Sequence, residues 1–128
     1  MAGDAPPLPA THIFPDGSDA VTDFSISIVQ APPVFLNLAA SMDRAEVLIR
    51  DAARSGAAVV VFPEAWLPGY PVWLDESAGA ALWGHRPAES LFRILFANCP
   101  DLEGPEIARL ADLSAELSVE IVMGIQER

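Results

Sequence analysis

Apolar and polar positions change their period along the chain, and the changes outline its elements. From Phe24 to Gln30, FSISIVQ alternates apolar with small polar residues and predicts a first strand. It stops before Ala31-Pro32-Pro33, where prolines remove ladder donors. Leu38, Met42, Ala45, Leu48, Ile49 and Ala52 then recur at spacings of three and four, which predicts an amphipathic helix from Leu38 to Ser55, with Asn37 as N-cap and Gly56 ending it. Ala57 to Phe62 is an unbroken apolar run, too short for a typical helix and rich in β-branched residues. Such runs mark strands buried on both faces of a parallel sheet. Strand, helix, strand makes a βαβ unit, and its crossover should be right-handed.

Pro63 closes the second strand and leaves Glu64 at its carboxyl end, followed by AWLPGYPVWLDES, a loop with two of the three Trp and the single Tyr. A helix is expected from about Ala88 to Ala97. Another is expected where Pro105 suits the first helical position, Glu106 the first turn, and Ile107, Leu110, Leu113, Ala115 and Leu117 the buried stripe. Val119 to Ile125 reads as a third strand. The alternation of strands and helices predicts an α/β fold with a parallel sheet. Residues 1–23 carry four prolines, two glycines and four aspartates without a sustained apolar period, so a disordered tail is expected there and a folded domain over 24–128.

Composition narrows the functions open to the chain. Its 128 residues are 52% hydrophobic, enough for one real core, and 18 Asp+Glu face 7 Lys+Arg for a net charge of -11. That charge repels a phosphate backbone, so nucleic acid is not an expected partner. All the cations are Arg, which removes Schiff-base and Walker-loop chemistry from these residues. Cys99 has no second Cys to pair with, the first residues lack a basic and an apolar segment, and no run reaches the length of a membrane span. The expectation is a cytoplasmic protein without membrane association. His12, His85 and Cys99 stand at no metal-ligand spacing, so no metal site is expected.

Ligands of open α/β sheets bind beyond the carboxyl ends of the strands, which makes Glu64 the foremost catalytic candidate by position. A carboxylate beside low-dielectric backbone and aromatic rings is suited to act as a general base. A solvated or capping loop Glu would fit the same place. The surrounding string settles more than the single acid does. Phe62-Pro63-Glu64 followed by Pro68-Gly69-Tyr70-Pro71, with VQAP before and MGIQER after, closely resembles the start of the nitrilase branch of the carbon-nitrogen hydrolase superfamily.

The resemblance implies the amino-terminal part of an αββα sandwich, and an active site built from a Glu base, a Lys that stabilises the tetrahedral intermediate and a Cys nucleophile. Of these only the Glu is carried over, onto Glu64. Tyr70 matches a position that lines the substrate pocket, and Trp66 is taken with it as a candidate substrate contact. In the family's reaction a thiolate adds to a nitrile or amide carbon and water releases the acid, with loss of ammonia. A small organic nitrile is the expected substrate and an amide the alternative. No metal or organic cofactor is implied, and assembly as a homo-oligomer is.

The family's Lys and Cys have no counterpart here. Cys99 lies in Asn98-Cys99-Pro100 rather than in a Cys-Trp-Glu setting, and is expected to be a structural thiol. These residues alone are therefore expected to be inactive. An apolar sheet face left open would favour self-association, and a non-catalytic interaction module is the alternative of a different class.

Overall fold

The computed structural model describes residues 23–77, 79–80, 84 and 86–128; of the tail expected over 1–23 all but Asp23 lies outside the described residues, as do His12, Trp83 and His85. The elements run β1 (Ile26–Ile28), α1 (Leu38–Arg54), β2 (Val59–Val61), α2 (Trp73–Glu76), α3 (Arg86–Ala97), α4 (Pro105–Leu117) and β3 (Glu120–Val122). The strands form one parallel sheet in the order β1-β2-β3, so β2 is central. This is an α/β arrangement, as the alternating pattern predicts.

Helix α1 starts as its sequence dictates: Asn37 is extended and its side-chain oxygen accepts from Ala40 N at 3.0 Å, while the backbone turns left-handed at Gly56 just beyond Ser55. Met42, Ala45, Ile49 and Ala52 bury the predicted stripe. Helix α4 begins with Pro105 at an N-terminal position after an extended Gly104 and buries Leu110 and Leu113. Both helices cover one face of the sheet, where Val60, Ile49 and Ala45 are fully enclosed. Their outer surfaces are joined by charge pairs, with Arg50 donating to Glu46 and Glu116 and Arg109 to Asp43 and Glu46.

Two expectations are corrected. The second strand is not buried on both faces. Register places Ile26, Val59 and Glu120 in one row and Ile28, Val61 and Val122 in the next, pointing away from the row of Ser27, Val60 and Ile121 that meets the helices. Ile28 is 72% exposed and Val122 52%, with Val59 and Val61 half-buried, so an apolar sheet face stands open. The strands are also shorter than the apolar runs that predicted them, three residues each, although single ladder bonds continue beyond their ends. The loop after Glu64 holds a short helix, α2, that no periodicity announced. Helix α3 begins two residues earlier than expected.

Candidate active site

Glu64 stands where the central strand ends. The ladder runs on past β2, with Phe62 N donating to Val122 O at 2.8 Å and Val29 N to Val61 O at 2.8 Å, and the chain then turns over Glu64, Ala65 and Trp66. Glu64 is exposed, whereas Ala65, Trp66 and Leu67 behind it are buried. The carboxylate is thus presented to solvent from a rigid base. Ala65 has φ +50°, the left-handed region that costs a residue with a Cβ about 1 kcal/mol or more and persists only where neighbours hold it.

The neighbours are identifiable. Ala65 O accepts from Gly69 N at 3.1 Å, closing the turn. Leu67 pairs in parallel with Ile125: its N donates to Gly124 O at 3.1 Å and its O accepts from Gln126 N at 2.8 Å. On the β1 side, the Trp66 indole Nε1 donates to Ala31 O at 2.7 Å, and its ring meets Phe62 edge-on at 4.8 Å between centroids. The loop that carries Glu64 is therefore fastened to the segments following both outer strands.

Trp66, expected as a substrate contact, is 2% exposed and lies among the core residues of α1, β2 and α4. Tyr70 is 47% exposed, on the far side of Gly69 from Glu64 along the same loop. Gly69 has φ +117°, and a Cβ there would come within 2.6 Å of the Phe35 ring, so only glycine lets this turn sit on Phe35. Glu64 and Tyr70 are thus carried on one loop at the carboxyl end of the sheet. The stretch before α1 is secured too: Ser41, fully buried, donates from its hydroxyl to Val34 O and accepts from Val34 N, at 2.9 and 3.0 Å.

Cys99 is 5% exposed and its thiol donates to Leu95 O at 3.3 Å. Burial pushes its pKa up, against a weaker opposing effect of Arg128, so the thiolate needed for attack is disfavoured. A groove of about 480 Å³ is lined by Phe92, Leu95, Phe96, Cys99, Gln126 and Glu127 between α3 and the segment after β3; Glu64 and Tyr70 do not line it. Among the described residues no group of three His, Cys, Asp or Glu converges to hold a metal ion, and no helix is long and apolar enough to cross a membrane.

The periodicity that located Glu64 missed the residues that anchor its loop, Ala31, Gly124 and Gln126. Their only signal was the pair of strings VQAP and MGIQER that flank the strand ends.

Comparison with known proteins identifies the family. A bifunctional nitrilase/nitrile hydratase of Nicotiana tabacum is 40% identical over 104 residues, 80% of this chain and 29% of the relative. A bifunctional nitrilase/nitrile hydratase of Oryza sativa subsp. japonica is 36% identical over 131 residues, covering 99% of this chain and 36% of its own length. An aliphatic nitrilase of Rhodococcus rhodochrous is 35% identical over 108 residues, 82% of this chain and 27% of its own. The chain spans about a third of the length of these relatives. The family model described as carbon-nitrogen hydrolase matches residues 25–128, which takes in every described strand and helix. With the Glu64 loop, both flanking strings and the parallel sheet inside that match, the chain belongs to the carbon-nitrogen hydrolase family, in its nitrilase branch.

Proposed function

We propose that this chain supplies the general base and part of the substrate pocket of a nitrilase that converts a small organic nitrile to a carboxylic acid and ammonia. The observation that carries the reading is the placement of Glu64: exposed, at the carboxyl end of the central strand, on a loop tied to both neighbouring segments. A base must be held within hydrogen-bond reach of the proton it takes, and a loop fastened on two sides meets that demand. Glu64 takes the proton of the attacking thiol as its sulfur bonds to the nitrile carbon, and passes it to the nitrogen. That addition gives a thioimidate. Glu64 next serves a first water, which adds to the same carbon so that ammonia leaves and a thioester remains, and then a second water, which cleaves the thioester to the carboxylic acid and restores the thiol. Tyr70 faces the substrate. Trp66 contributes by holding the loop from beneath.

The sequence contains no Lys, and its Cys is buried with its thiol turned to Leu95 O. The 128 residues alone therefore lack both an accessible thiol nucleophile and the family's Lys for the developing charge, and are inert by this reading. An amidase of the same family would use the same Glu. Ammonia release from a panel of nitriles and the matching amides, by these residues alone and by a chain carried on through the family's Lys and Cys, is the test. Release from nitriles by the longer chain alone is expected. Release from amides only would replace nitrilase by amidase, and release by the 128 residues would refute the division of labour.

The open sheet face supports a second reading in which the segment serves as an interaction module. Ile26, Ile28 and Val122 form an apolar surface of the kind that another layer covers, and the isolated chain is expected to self-associate through it. Light scattering that found a stable monomer at high concentration would refute this.

A further inference from the structure

We infer that the segment following β3 is the positioning device of the site, with Gly124 setting the place of Glu64 and Gln126 that of the Gly69–Tyr70 turn. The inference rests on Glu64 being the base. A Cβ at Gly124 would lie 2.1 Å from Pro63 O, 2.8 Å from Ala65 N and 2.8 Å from Glu64 Cα. All three are backbone atoms, so no side chain can swing aside; the Glu64 turn itself would have to move. The backbone at Gly124 needs no left-handed φ, as only Gly56, Gly69 and Gly84 among the described glycines have a positive one. Glycine is required here for closeness, not for conformation.

Two residues on, Gln126 binds the same loop at a different place. Its backbone N donates to Leu67 O at 2.8 Å, and its side-chain Nε2 donates to Gly69 O at 3.2 Å, next to Tyr70. One strand extension therefore touches the loop twice, at the base and at the residue before the proposed substrate contact. Neither residue touches a reacting atom in this scheme; both act through what they hold.

The two contacts make separable predictions. In a chain carried on through the family's Lys and Cys, Gly124→Ala displaces the base and should lower kcat by about 100-fold with KM changed less than about threefold, the usual consequence of shifting a catalytic group by about 1 Å. Gln126→Leu keeps the backbone bond and loses only the side-chain one. It should raise KM by about fivefold or more with kcat within about threefold. A merely structural role would lower the folded fraction in both variants and move neither ratio, once rates are referred to folded enzyme. In the 128-residue chain itself, Gly124→Ala should speed amide exchange at Leu67 by about tenfold or more and leave Ile49 in the core unchanged.

A Gly124→Ala enzyme with kcat within about threefold of the parent overturns the assignment of Gly124. Unchanged KM in Gln126→Leu overturns that of Gln126. If Gly124→Ala does not fold, Gly124 is a residue of the fold rather than a positioning one and its assignment is overturned, while Gln126→Leu still judges that of Gln126. The reading of Glu64 as base is judged apart by Glu64→Gln: full turnover in that variant removes the base, whereas its loss combined with indifference to both changes removes only the positioning device.

Discussion

Replacing Trp66 by Phe separates holding the loop from lining a pocket. The change removes the Nε1–Ala31 O hydrogen bond and part of a ring that is 2% exposed, but keeps an aromatic to meet Phe62. Losing a buried donor whose acceptor is left unpaired costs about 1–2 kcal/mol. The smaller ring leaves a gap of a few tens of Å³, and at about 24 cal/mol per Å³ that adds roughly 1 kcal/mol. The sum is about 2–3 kcal/mol. For a domain near 100 residues with an m value of about 1–1.5 kcal/mol/M, the urea midpoint should fall by roughly 2 M. Circular dichroism at 222 nm follows the helices without relying on the mutated fluorophore. A midpoint within about 0.5 M of the parent would refute the reasoning, since a ring free to face substrate carries little of the fold.

Three further outcomes follow from the same structure. Tyr70→Ala, at a half-exposed ring, should raise KM or change preference among nitriles while lowering the urea midpoint by less than about 0.5 M; the reverse pattern would make Tyr70 a packing residue. Hydrogen bonds from Arg109 and then Arg50 hold the Glu46 carboxyl below the usual carboxylate range, and one from Arg50 does so for Glu116. Their contribution is present above the ordinary carboxylate pKa of roughly 4 and is lost as pH falls through the lower folded values. Urea midpoints should thus drop more steeply below about pH 4.5 in the parent than in Glu46→Gln/Glu116→Gln, and an equal slope would contradict the pairing. Cys99, buried and with its pKa raised, should react with an alkylating reagent about 100-fold or more slowly in the native chain than in urea; comparable rates would place it at the surface.

Helices α1 and α4 were legible because their signals are local. Asn37 and Pro105 mark starts through groups that act within one turn, and the stripe from Met42 to Ala52 needs only a period of 3.6. The strands were legible as elements but not in their surroundings. A run such as Ala57 to Phe62 reports apolar side chains on both faces without saying whether a second layer is there to cover them, and in this chain Val61 is only half covered. Glu64 became the candidate through its place after a strand and the string around it. The anchors were not, because they are non-local: Ala31 is 35 residues from Trp66 in sequence and Gln126 is 57 from Gly69, and a backbone carbonyl leaves no mark in a side-chain pattern. Trp66 illustrates the same gap, since the loop that exposes Tyr70 turns the indole into the core.

The claim that Glu64 is the general base is tested most directly by Glu64→Gln in a chain carried on through the family's Lys and Cys, with ammonia release and circular dichroism measured on the same samples. The amide keeps the size of an exposed side chain and cannot take a proton, so folding should match the parent while kcat falls by about 100-fold to 10,000-fold. An unaltered spectrum together with a rate near that of the parent would contradict the account, and would leave Glu64 as a solvated residue of the loop.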